Sequence, residues 1–133
     1  MPEMVIRKLN RDEIGEAAYR LTPYAFAPTP PLPPREDFVE GITARGGRTY
    51  YAALENGLAQ AIAGSHAMSE NVRGRLYPTS GLFAVASHPS ARRKGLARRV
   101  IASLLAEVRQ AGCAFSLLYP FRESFYERLG YVP

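Results

Sequence analysis

The chain has 133 residues, nearly half of them apolar and just over a fifth charged, with a net charge of +5. That length suits one domain with one shared core, that balance excludes a disordered tail, and no run approaches the roughly 18 apolar residues of a membrane span. A cytoplasmic protein is expected, and its excess positive charge suits nucleic acid, an anionic surface or a phosphate-rich cofactor equally well until the charges are placed.

In chain order, Met4 to Leu9 reads as a short strand. Asn10 can cap a helix beginning near Arg11, with Ile14, Ala17, Ala18 and Leu21 on one face. Pro23 is expected to end it. Residues 27–34, APTPPLPP, lack too many amide donors for helix or central strand and should form a stiff exposed loop beside a cleft; a polyproline ligand is the other reading. Residues 35–44 make a second short helix, carrying the acidic side chains Glu36, Asp37 and Glu40.

The run RTYYAALE is followed directly by Asn56-Gly57, a two-residue hairpin signal, and then by LAQAIAGSHAM, so two antiparallel strands are expected. A second turn between Asn71 and Gly74 leads into a strand at 76–87, whose end, GLFAVAS, looks the most buried of the chain. HPSARRKG follows, and then a helix from Gly95 to about Gln110 with Leu96, Val100, Leu104, Leu105 and Val108 inward and Arg98, Arg99 and Glu107 outward. Gly112 stops it. CAFSLLY reads as a second buried strand, reached by a helical crossover and so parallel to the first. Ser124 can cap a last short helix, FYERL, closed by Gly130. There is no internal repeat, and residues 1–133 read as a single domain.

Cys113 is alone and sits in an apolar run, which fits a small core residue better than a nucleophile or ligand. His66 and His88 have no cysteine or carboxylate at ligand spacing, so no metal site is expected.

The chemistry is concentrated where the buried strand meets Arg92-Arg93-Lys94-Gly95-Leu96-Ala97. A helix N-terminus there offers unpaired amides and the positive end of a dipole, a natural pyrophosphate site, with neighbouring cations to add charge. Gly95 and Ala97 would leave the backbone open to phosphate oxygens. Neither a Walker loop nor a Rossmann fingerprint is present, which disfavours nucleotide triphosphate chemistry.

Arg92, Gly95 and Ala97 match the R/Q-x-x-G-x-G/A signature, and the segment therefore resembles the GNAT superfamily of N-acetyltransferases. Upstream, Val85-Ala86-Ser87-His88-Pro89 is similar to that superfamily's fourth strand and its exit loop; downstream, FYERLGY is similar to its FYxxxGF closing motif. More narrowly, NVRG, GLFAVASHPSARRKGLA and LLYPFRESFYERLGY resemble the N-terminal acetyltransferase region of the enhanced intracellular survival family.

The resemblance implies an α/β fold with a mixed sheet, in which the strands ending at Ser87 and Tyr119 splay apart around the pantetheine arm of acetyl-CoA. Val85 and Ser87 would bond its amides by their backbones while Ala86 faces the core. Arg92, Arg93, Lys94, Gly95, Leu96, Ala97 and Arg98 would hold the pyrophosphate, with Phe121 and Arg122 as further cofactor contacts. Tyr126 matches the tyrosine that the superfamily often aims at the thioester sulfur, and is expected to protonate the departing thiolate; it can also be read as a packing residue. For the base, His66, Glu123 and a water chain stay open.

The sequence ends just after the closing motif, so the last two strands usual in this fold are expected to be absent, with a homo-oligomer or a partner chain completing the sheet along 115–119 or around Tyr131. The expected activity is transfer of an acetyl group from acetyl-CoA to a primary amine of a small molecule or protein, without metal, nucleic acid or membrane. A non-catalytic acyl-CoA-binding module is the competing reading. A basic nucleic-acid binder would need aromatic residues interleaved with the basic patch, and the tyrosines lie elsewhere.

Overall fold

The computed structural model describes residues 3–26, 34–44, 46–91, 94–120 and 122–133. Ten elements follow one another: β1 (Met4–Lys8), α1 (Arg11–Phe26), α2 (Arg35–Thr43), β2 (Arg48–Glu55), β3 (Leu58–Val72), β4 (Arg75–Ser87), a 3-10 turn (Pro89–Ala91), α3 (Leu96–Gln110), β5 (Phe115–Leu117) and α4 (Glu123–Glu127). The five strands lie in chain order in one mixed sheet, antiparallel from β1 to β4 and parallel between β4 and β5. The expected loop at 27–34 falls almost entirely outside the described residues. No described helix is long and apolar enough to cross a membrane.

Alternation along the strands sends side chains into two separate cores. On one face Tyr50, Ala52, Ile62 and Ala86 pack with Leu9 and with Ala18 and Leu21 of α1, flanked by Phe38 and Ile42 of α2. On the other, Ala53, Ala61, Ala63 and Leu82 meet Leu96, Val100, Ile101 and Leu104 of α3 and Tyr126 of α4. The sheet is therefore covered by α1 and α2 on one side and by α3 and α4 on the other.

Local chemistry explains the element ends. Asn10 and Glu13 form a reciprocal capping box: the Glu13 amide donates to Asn10 Oδ1 at 3.1 Å and the Asn10 amide to Glu13 Oε1 at 3.0 Å. Glu13 also accepts from the Arg7 guanidinium, whose hydrogen bonds hold its carboxyl down to about 2. Both hairpins turn on two residues at positive φ, Asn56-Gly57 (50° and 81°) and Arg73-Gly74 (53° and 84°), the pairing that matches strand twist.

Several expectations need correction. α1 does not stop at Pro23 but runs through it to Phe26, since one proline removes a single helical amide while the earlier turns stay anchored in the core. The most buried strand is the first half of β3, covered on both faces, whereas β4 is only partly buried over 83–85. β5 is three residues long, with Phe115 and Leu117 each about two-fifths exposed, so it is an edge strand rather than a buried one. Glu107 is half-buried, accepting from the Tyr51 hydroxyl at 3.2 Å and the Lys8 ammonium at 3.3 Å. Ser124 does not cap α4; the N-cap is Arg122, in extended conformation, with no side-chain bond to the helix. Cys113 is half-buried.

Candidate functional site

The site is built on the open edge of β4. Its ladder with β5 covers Thr79↔Phe115, Ser80↔Ser116 and Gly81↔Leu117, preceded by the Ala114 amide donating to the Pro78 carbonyl at 2.9 Å. Beyond Gly81, β4 continues for six residues with no described strand on that side. The two strands thus part company at their C-terminal ends.

A bulge decides which backbone groups face the opening. Gly64 sits opposite Phe83, but Ile62 sits opposite Ala86, so β4 takes up one extra residue, and Ala84 adopts φ 54°. Past it the alternation is reversed. The His88 amide donates to the Gln60 carbonyl at 2.8 Å, which turns His88 and Ala86 toward β3 and leaves the backbone groups of Ser87 and Val85 on the opposite edge. Ala86 spends its backbone on β3 and its side chain on the core under α1.

After the 3-10 turn, α3 begins at Leu96 behind Gly95, which has φ 71° and ψ 15°. A Cβ at Gly95 would meet nothing within 4 Å, so glycine is needed here for its left-handed backbone rather than for space. The Arg99 amide donates to the Gly95 carbonyl at 3.2 Å, leaving the amides of Leu96, Ala97 and Arg98 ahead of the helical ladder. Lys94 and Arg98 are exposed, Ala97 is half-buried, and the Leu96 side chain is a core anchor that can offer only its amide. Arg92, Arg93 and Phe121 lie outside the described residues, and Arg122 stands exposed at the start of α4.

Tyr126 is 4 % exposed, in the cluster that also holds Val85. Its ring meets Phe125 edge-on at 5.0 Å and Tyr131 at 6.1 Å. Burial, and then the neighbouring Tyr131, pushes its hydroxyl up to about 12, so it keeps its proton at neutral pH. It lines a cleft of about 190 Å³ with Leu117, Pro120, Glu123 and Tyr131, and the Tyr131 hydroxyl is fixed by the Ser116 hydroxyl at 2.5 Å. Glu123 is exposed there, while His66 lies on the other face of the sheet, so the two residues considered as bases stand on opposite sides. Among the described residues no group of three or more histidine, cysteine or acidic side chains is placed to hold a metal.

Residue-level reading of the sequence missed Ala84, whose bulge sets the phase of Val85 and Ser87, and the pair Arg48 and Phe83, whose guanidinium and ring centroid lie 4.8 Å apart. Nothing in GLFAVAS marks the bulge, because alanine carries no left-handed signal.

An open strand edge running into a helix N-terminus defines a class of domain made for an extended ligand with an amide-bearing arm and an anionic end. The family model described as "Acetyltransferase (GNAT) domain" matches residues 5–133, and the chain belongs to this family. Among solved structures, a conserved protein from Enterococcus faecalis V583 described as a "Probable N-Acyltransferase" superposes with TM-score 0.83 at 27% identity over 98% of this chain. The chain spans only 32% of that protein's length. An aminoglycoside N-acetyltransferase in complex with CoA (TM-score 0.77, 20% identity, 100% of this chain and 90% of that one) and glucosamine-6-phosphate N-acetyltransferase from Arabidopsis thaliana (0.77, 20%, 98% and 92%) share the fold. No curated protein matches the chain significantly.

Proposed function

We propose that this domain transfers an acetyl group from acetyl-CoA to a primary amine within a ternary complex. The observation that carries this reading is the free edge of β4 after the Ala84 bulge, where the backbone groups of Val85 and Ser87 point into the gap beside β5. Such an edge can pair with the pantetheine amides as a strand would. The amides of Leu96, Ala97 and Arg98, with Lys94 and, next to it in sequence, Arg92 and Arg93, suit the pyrophosphate, and Phe121 and Arg122 are kept as the further cofactor contacts that the resemblance implies.

Acetyl-CoA supplies an activated thioester. The chain's own part is to lay that thioester in the gap, to keep Tyr126 protonated on the α3 and α4 side, and to leave the opposite face for the amine. Tyr126 holds its proton at the phenolic oxygen until the sulfur departs as thiolate, and donates it then.

Similarity to the enhanced intracellular survival family is carried by NVRG, GLFAVASHPSARRKGLA and LLYPFRESFYERLGY. A cytoplasmic location and a self-associated or partner-completed assembly complete the reading, the latter supported by the exposed Phe115 and Leu117 on β5 and Tyr119 just beyond it.

Calorimetric titration with acetyl-CoA, followed by thiol release over a panel of amines, tests the whole. Binding with acceptor-dependent thiol release is expected; binding without release from any amine would leave the passive module.

A further inference from the structure

We propose that Arg48 and His66 form an anion subsite that grips a carboxylate of the acceptor, making the acceptor an amino carboxylate. This rests on the acetyltransferase reading and adds the chemical class of its second substrate.

The two residues are cross-strand partners, and their row continues across the sheet as Arg48↔His66↔Gly81↔Leu117. Gly81↔Leu117 is the last rung before β4 and β5 separate, so the row ends at the mouth of the gap. Residues two apart on a strand share a face, and Tyr50, Ile62 and Phe83 all belong to the cluster under α1 and α2. Arg48 and His66 therefore lie on that face, opposite Tyr126, and the Arg48 guanidinium resting 4.8 Å over Phe83 agrees. An amine approaching on this face reaches a thioester in the gap from the side away from the departing sulfur.

Arg48 Nε and His66 Nδ1 are both buried without a hydrogen-bond partner, and among the described residues no carboxylate makes an ion pair with Arg48. Two adjacent unmet polar groups, one cationic, are costly to keep dry unless a ligand satisfies them. A planar carboxylate matches a guanidinium fork and an imidazole N–H together. Arg48 also lines a cleft of about 380 Å³ whose charged lining residues are Lys8, Arg11 and Arg48, with no acid among them. Lys8 is engaged by Glu107, which leaves Arg11 and Arg48 as the other cations of this cleft, while Glu36 and Glu40 border the adjoining one that shares Arg11. No residue lining this cleft would attract a polycationic acceptor.

The full chain is assayed by thiol release with saturating acetyl-CoA over α-, β- and ω-amino acids, their carboxamides, polyamines and aminoglycosides. The best acceptor should be a carboxylate, favoured over its own carboxamide by about tenfold or more in kcat/KM. Arg48→Met, which keeps apolar contact with Phe83, should raise KM for the carboxylate with little change in kcat and leave the carboxamide unaffected; Arg48→Lys should recover part of the preference. Equal or better use of carboxamides, polyamines or aminoglycosides, or an Arg48→Met loss shared by both members of a pair, overturns the inference. A second measurement needs no turnover: ring resonances of His66, with His88 as internal reference, are followed by NMR during titration with glycine, 4-aminobutyrate and glutarate, alone and with CoA. Saturable shifts at His66 that vanish in Arg48→Met support the subsite even if CoA does not bind, in which case the acetyltransferase reading alone falls. CoA binding with no His66 response to any carboxylate sinks the subsite and leaves that reading standing.

Discussion

The His88 amide donates to the Gln60 carbonyl at 2.8 Å, and that one bond fixes which way the end of β4 faces. Before the bulge at Ala84 the same edge would have been presented by Leu82, Ala84 and Ala86; after it, Val85 and Ser87 face the gap. Deleting Ala84 would take out only the extra residue and leave Val85 and Ser87 in the same phase. The informative variant is Ser87→Pro, which removes one amide donor from the gap edge without breaking a bond to β3 and should weaken CoA binding by calorimetry while the antiparallel strands persist by circular dichroism. Ala84→Gly is the control: it relieves the positive φ, should stabilise the fold by up to about 1 kcal/mol, and should keep CoA affinity. Unchanged CoA binding in Ser87→Pro would detach Ser87 from the cofactor.

Gly95 separates backbone strain from ligand repulsion. Gly95→Ala should cost roughly 1–2 kcal/mol in denaturant unfolding, because φ 71° suits glycine, with space for the methyl group. Gly95→Glu should carry the same strain and also lose CoA binding, since a carboxylate would face the pyrophosphate at the helix amides. A glutamate variant that binds CoA as the alanine variant does would refute this placement.

Tyr126→Phe keeps the packing against Phe125 and Tyr131 and removes the proton donor. Turnover should fall by about a hundredfold with acetyl-CoA affinity nearly unchanged. With its hydroxyl pushed to about 12, Tyr126 should impose no alkaline limb on kcat below about pH 10. The sign for stability follows from the native state holding this proton more tightly: the contribution is complete below the unfolded value near 10 and is lost as pH rises toward 12. Tyr126→Phe should flatten that alkaline decline in pH-dependent melts.

At the other end of the domain, Asn10→Ala should destabilise by about 1 kcal/mol through loss of the capping box, with CoA binding intact. Glu13 is held down to about 2, so its pairing stabilises the fold above pH 4.5 and is lost as pH falls toward 2. Glu13→Gln should therefore reduce the acid sensitivity of the melting temperature over that window.

The exposed edge of β5 predicts association. Light scattering over a concentration series should show growth in mass, and Leu117→Lys should reverse it by placing a charge on the edge. A wild-type chain that stays monomeric throughout would remove this part of the reading.

What the sequence determined by itself is whatever short-range rules govern. The Asn56-Gly57 hairpin, the Asn10 cap, the amphipathic α3 and the glycine at its start all follow from residue types at close spacing, and the element order follows with them. Tertiary structure decided the rest. β5 is short and exposed because only three residues find a partner on β4, which no local pattern in CAFSLLY reveals. Pro23 lies inside α1 because Ala18 and Leu21 are already fixed in the core. Glu107, outward by periodicity, is claimed by Tyr51 and Lys8 from neighbouring strands. The bulge at Ala84 and the alignment of Arg48 with His66 depend on register between strands far apart in sequence. Register is set by the packing of two opposite cores, which a single strand read alone does not contain.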